Sequence, residues 1–293
     1  MPTSSYDLNL NRNAVNLVIV KAFLGDEDSI TELLDAGGAI EDAVYGFAFG
    51  GHFKLVSDIT DDKPELKKFA ARGYARGKHS EEVMALRSDA SLLGALLYGH
   101  AQAGNSTHVQ AALNSRGGAK YLPVILEGLA STEQTELLLH LVKGTRFYTL
   151  ALQSAAKSGH TDLVQRLFAA QSISLDELKS DATKLNHDIK VVLTYAMQGY
   201  IKGRHFEHAS ELLTIGLNPM HCLNALAKKG VIDANDASRL ITAIDSETIQ
   251  EQVKGLLTEQ FAFDLETLDL SMDYSSTTLP GLSDGETESA KLV

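Results

Sequence analysis

The stretch Leu152-Gln153-Ser154-Ala155-Ala156-Lys157-Ser158-Gly159-His160-Thr161-Asp162-Leu163-Val164-Gln165-Arg166-Leu167 decides the fold. Leu152 and Ala156 stand four residues apart, and Val164 and Leu167 three apart, with Gly159 between the two pairs. Spacings of three and four place each pair on one face of an α-helix. A glycine between them ends the first helix at little steric cost, because it adopts the left-handed C-cap conformation. The stretch therefore reads as helix, tight turn, helix.

Working outward, the same pattern returns with a period near 27 residues. A column of small residues runs Ala22, Ala48, Ala75, Ala101, Ala130, Ala156, Ile201 and Ala227, with Ile201 the one bulky member. Four residues before each lies Val18, Val44, Ala71, Leu97, Leu126, Leu152, Met197 or Leu223. Eight after come Ile30, Val56, Val83, Val109, Leu138, Val164 and Ala209; in the eighth repeat Asn235 takes that place. Breakers stand between at Gly25, Gly51, Gly77, Gly104, Gly159, Gly203 and Gly230. Pro64, Pro123 and Pro219 fall where the first turn of a leading helix is expected. Seven intervals along the small column are 26, 27, 26, 29, 26, 45 and 26, so one carries an insertion, near residues 171–190, whose Ser174–Lys179 reads as a short extra helix.

These residues resemble the helix-turn-helix half of an ankyrin repeat. Ala-Ala-x-x-Gly-His-x-x-Leu-Val is intact at Ala155–Val164, with weaker copies at Ala48–Val56, Ala75–Val83 and Ala101–Val109. The expected fold is an all-α, right-handed α-solenoid of about eight ankyrin-like repeats with a C-terminal capping helix. The Thr-Pro-Leu-His opening of the family is missing from every copy and the repeat is shorter than the family's, so the β-hairpin finger is expected to be trimmed. The expected organisation is an arm at 1–12, the repeats at 13–244, a capping helix with an acidic-apolar segment at 245–270, and a disordered polar tail at 271–293. Divergent, acidic, ankyrin-like chains also resemble effectors that intracellular bacterial pathogens deliver by type IV secretion, and the tail Ser275–Val293 is similar to such a secretion signal. That resemblance implies virulence, a host protein as partner, and a cytoplasmic protein passed into the host cell.

Charge divides unevenly. Net charge is −12 overall, −8 over residues 1–65, +5 over 66–244 and −9 over 245–293. A nucleic-acid platform is normally more basic than this body, so nucleic acid is disfavoured as a partner. The single cysteine, Cys222, excludes an internal disulfide. Nowhere do about 18 uncharged apolar residues run together, and the first ten residues lack a signal-peptide pattern, so neither a membrane span nor a leader is expected.

No convergent catalytic set stands out, and no cofactor is expected. His52, His79, His160 and His205 sit in the interhelix turns, where bonds to turn backbone are expected. His205 and His208, three apart, are the one pair with a spacing worth weighing for metal; no other metal ligand is assigned. His187-Asp188 matches a dipeptide of metal-dependent phosphohydrolases without the further ligands that class needs. Cys222 follows His221, but adjacent helix residues point apart, which disfavours a thiolate pair. Phe261, Leu265, Leu268 and Leu270 have a spacing that looks like a leucine-rich nuclear export signal; alternatively Phe261 and Leu265 finish the closing helix and cover the last repeat, or the acidic-apolar segment docks in a partner's groove.

The candidate partner-binding column is the residue after each small one: Phe23, Phe49, Arg76, Gln102, Ser131, Lys157, Lys202 and Lys228, with Phe49, Arg76, Gln102, Lys157, Lys202 and Lys228 as its principal members. It turns from aromatic to basic, so an acidic segment of a partner protein is expected at the later repeats. The leading functional reading is a protein-interaction scaffold. The competing one is a metal-dependent hydrolase whose site forms where the 171–190 insertion covers the stack, using His187, Asp188, His205 and His208.

Overall fold

The structure, a computed structural model, describes residues 16–261 apart from 144, 146, 221, 222 and 224–231. The arm 1–12, the segment 262–270, the tail 271–293, and Lys228, His221 and Cys222 lie outside the described residues. Within them the chain is all-α. It forms α1 (Leu17–Leu24), α2 (Glu27–Asp35), α3 (Ile40–Gly50), α4 (Phe53–Asp62), α5 (Lys67–Gly77), α6 (Ser80–Leu86), α7 (Leu93–Gln102), α8 (Ser106–Asn114), α9 (Leu122–Ala130) and α10 (Thr135–Val142). Then follow α11 (Tyr148–Lys157), α12 (Thr161–Ala170), α13 (Leu175–Ser180), α14 (His187–Lys202), α15 (Phe206–Thr214), α16 (Ala234–Thr242) and α17 (Glu247–Phe261).

Leading helices pack in a row: α1 on α3, α3 on α5, α5 on α7, α7 on α9, α9 on α11 and α11 on α14. Each trailing helix packs on its own leader, as α2 does on α1 and α12 on α11. The small column is what lets the leaders approach. Ala22, Ala48, Ala75, Ala101, Ala130 and Ala156 are fully buried, and Ile201 nearly so. A second small column, two residues earlier, completes the contact: Gly46, Gly73, Gly99, Gly128 and Gly199. A Cβ built at Gly73 would lie 2.6 Å from the Ala48 Cβ and 2.5 Å from the Tyr45 carbonyl oxygen; one at Gly199 would lie 2.7 Å from the Ala156 Cβ. Two residues turn a helix by about 200°, so each leader shows alanine to the next leader and glycine to the previous one.

Leader ends follow one rule. In the pair Gly159/His160, the Gly159 N–H donates to the Ala156 carbonyl and the His160 N–H to that of Ala155, the two bonds of a Schellman cap, and Gly159 has φ +74°. In two repeats the left-handed residue is not the expected glycine but the residue after it, Lys78 (φ 61°) and Arg204 (φ 61°). Gly77 and Gly203 meet a different need, close approach: a Cβ on Gly203 would lie 2.1 Å from the Lys157 carbonyl oxygen.

The extra residues make α13, a 3-10 turn at Ala182–Lys184, and a longer leader, α14, of 16 residues. Ser174 caps α13 by accepting from the Glu177 N–H. Asn235 is half-buried, and α16 instead buries Ala237, Leu240 and Ile241, together with Asp236, whose Oδ1 is 3.1 Å from the Arg204 Nε. On α17, Val253 and Leu257 are fully buried. The buried apolar residues divide at α7 into two clusters, one from Val18 to Leu96 and one from Leu97 to Leu257.

Candidate interaction surface

The first residue after each leader's small position lies within a residue of that helix's C-terminal end, where carbonyls lack intrahelical partners. A side chain from the next repeat takes them up. Nε2 of His52 lies 2.9 Å from the Phe23 oxygen, His79 3.0 Å from that of Phe49, His160 3.0 Å from that of Ser131, and His205 3.2 Å from that of Lys157. Thr132 Oγ1 donates to the Gln102 oxygen at 3.0 Å. The histidines therefore bond turn backbone, and specifically the turn of the preceding repeat. Each of these histidines is the N-cap residue of its trailing helix and makes no side-chain cap bond there. Asp26 and Asn105 stand at the same position and do the opposite, capping α2 and α8 through Ser29 N–H and His108 N–H.

The column's backbone is thus tied across repeats, and its side chains line the edge beside those ties. Phe23 and Phe49 rings lie 4.8 Å apart. The Arg76 guanidinium carbon sits 4.6 Å from the Phe49 ring centroid, and Arg76 Nη1 donates to the Tyr45 hydroxyl. Tyr45 in turn donates to Gln102 Oε1 at 3.1 Å, and Gln102 Nε2 donates to Ser131 Oγ at 3.1 Å. Phe23, Phe49, Arg76, Gln102 and Ser131 therefore form one connected edge across α1, α3, α5, α7 and the end of α9. Of these Phe23 is 41% exposed and the others are half-buried.

Arg76 departs from the expectation of a side chain that leaves the packed face, because Tyr45 and Phe49 hold it down. Later members behave differently. Lys157 is exposed and lies 3.9 Å from Glu127, so an acid of this chain already faces it. Lys202 is half-buried at the end of α14.

A parallel column three residues before the small one belongs to the same edge and was not singled out from the sequence: Tyr45, Arg72, Tyr98, Glu127, Gln153 and Gln198. Its members also touch between repeats. Arg72 lies 4.4 Å from the Tyr98 centroid, and Gln153 Nε2 donates to Gln198 Oε1 at 2.9 Å. The signal that finds it is the i−4 spacing from the first column, which places both on one helix face.

His205 and His208 are each engaged through Nε2, His205 with the Lys157 carbonyl and His208 with Thr161 Oγ1 at 3.2 Å. Burial is the main cause that lowers the His205 pKa, which the Lys157 bond partly offsets. His187 and Asp188 are exposed at the start of α14. Among the described residues no group of three or more His, Cys, Asp or Glu side chains is placed to hold a metal ion. Two open depressions of about 440 and 470 Å³ lie away from the insertion, one against Glu27, His52 and Asp58 and the other against Leu34, Glu41 and Lys63. No helix among the described residues is long and apolar enough to cross a membrane.

Comparison with protein-family models, with curated proteins and with solved structures finds no match to this chain.

Proposed function

We propose that this chain is a protein-interaction scaffold, an ankyrin-like solenoid whose leading helices bind a partner protein along their exposed edge. The observation that carries this reading is the continuous edge from Phe23 to Ser131, built from side chains of five successive leaders. Such a surface is extended, rigidly spaced, and rich in the tyrosine, phenylalanine and arginine that dominate binding hot spots. The test is capture by the full chain from lysate of a candidate host cell, against a Phe23→Ala/Phe49→Ala variant whose helicity and melting match the native chain. One stoichiometric protein recovered by the native chain alone supports the reading; equal recovery by the variant sinks the edge as the binding face.

The effector reading rests on the tail 271–293, outside the described residues, and on the resemblance noted above. It is tested by fusing a translocation reporter to the full chain and to a chain ending at residue 274: delivery of both alike removes the tail as a signal. For the metal-hydrolase alternative the discriminating measurement is zinc titration. A site tighter than about micromolar, lost in a His205→Ala/His208→Ala variant, would favour it.

A further inference from the structure

Arg72 and Arg76 are one helical turn apart on α5, so their guanidiniums emerge on the same face. Each lies over aromatic rings: Arg72 at 4.4 Å from Tyr98 and 5.9 Å from Phe69, Arg76 at 4.6 Å from Phe49 and 5.9 Å from Tyr45. Both fields reach the Tyr45 hydroxyl, whose pKa burial raises and the two arginines partly bring back down. Two cations therefore share one small region. Among the described residues neither has a carboxylate within ion-pair distance, whereas Arg166 and Arg204 each hold one, Glu136 and Asp236. The Arg72 Nε is moreover buried with no hydrogen-bond partner among the described residues. That nitrogen is closed to an incoming group, so a carboxylate would meet the guanidinium at its two terminal nitrogens, whose fork matches it through two parallel bonds.

We propose that Arg72 and Arg76 form the anion subsite of this edge and take the carboxylates of an acidic peptide segment on the partner protein. The inference rests on the scaffold reading and adds the partner's chemistry. It also moves acid recognition from the later repeats, where Glu127 already faces Lys157, to α5. Stacking on rings holds both guanidiniums in place, so little side-chain entropy remains to be lost on binding. Phe49 against Arg76, and Phe23 against Phe49, offer ring surface to an apolar residue next to the acid. A peptide fits better than a polyphosphate chain, since the chain's net charge of −12 repels a long polyanion whereas a few carboxylates need only the local pair.

The test uses the full chain and a fluorescein-labelled peptide of about twelve residues made of glutamate, aspartate and phenylalanine, a length that spans a few repeats. Its counterpart carries glutamine and asparagine instead, and a single-stranded DNA of the same length is the third probe. The acidic peptide is expected to bind with a Kd between about 1 and 100 μM, to shift the Arg72 Nε–H resonance, and to bind at least tenfold more weakly to an Arg72→Gln/Arg76→Gln variant of native melting behaviour. Should that variant misfold, Arg72→Lys keeps the charge but not the fork and is expected to lose part of the affinity. No binding of the acidic peptide, or equal affinity for native and variant chains, overturns the inference. Equal binding of the glutamine peptide overturns it too while leaving the scaffold reading standing. Tighter binding of the DNA would assign the subsite to nucleic acid and overturn it as well.

Discussion

Nε2 of His205 closes on the backbone oxygen of Lys157 at 3.2 Å across 48 residues of chain, whereas the equivalent pairs His52–Phe23, His79–Phe49 and His160–Ser131 span 29, 30 and 29. The inserted segment is therefore looped out without disturbing the joint between α11 and α14. A contact that survives so long an insertion is a property of the stacking, not of local sequence.

Replacing His205 by Ala removes that bond and leaves a hole against Gly159, whose added Cβ would lie 2.6 Å from the imidazole. The expected loss is about 1 to 2 kcal/mol in urea unfolding. An unchanged midpoint would show that the imidazole contributes nothing to the joint.

Two glycines on α7 make a paired test. A Cβ at Gly99 would lie 2.3 Å from the Arg72 oxygen and 2.8 Å from the Ala75 Cβ, while one at Gly94 meets nothing within 4 Å. Gly99→Ala should destabilise by about 1 to 3 kcal/mol through forced separation of α5 and α7. Gly94→Ala should stabilise by up to about 1 kcal/mol through helix propensity alone. Equal effects would mean that the leaders are not in close contact there.

Lys78 holds a left-handed backbone, φ 61°, that a β-carbon disfavours. Lys78→Gly is expected to raise stability by about 0.5 to 1 kcal/mol, read as a higher thermal midpoint. A lower midpoint would mean that the lysine side chain contributes more than the backbone costs.

His100 is buried on α7, its ring stacked at 4.2 Å on that of His108, and its pKa is lowered to about 4, first by burial and then by His108 and Arg87. The folded chain therefore keeps this imidazole neutral where the unfolded chain, titrating near 6.5, takes up a proton. Stability is full above about pH 6.5 and falls as the pH drops towards 4, by on the order of 2 kcal/mol at pH 5. Comparing urea midpoints at pH 7.5 and 5, the His100→Gln variant should show a smaller drop than the native chain. An identical drop would place the pH sensitivity elsewhere. Because the two apolar clusters meet at α7, faster amide exchange at low pH is expected first in α7 and α8.

Much of this was legible because burial in a helix repeats every three to four residues. Val18, Ala22, Leu152 and Ala156 could each be placed on the packed face from spacing alone, and all four are buried. The glycines at 46, 73, 99, 128 and 199 follow the same period on the opposite face, two residues away, which a single-face template of neighbours at three and four does not reach. The column from Phe23 to Lys228 is legible in the sequence, yet the state of its side chains is not. Nothing in the spelling of Arg76 says that Tyr45, 31 residues earlier, holds it.

The sequence by itself determined that helices pair around tight turns and which face most of them bury, because glycine and periodicity act within a few residues. Only the tertiary structure decided which side chains meet between repeats. That choice depends on how closely one leader approaches the next, and the approach is set by the glycine-to-alanine contact on faces that no single helix contains.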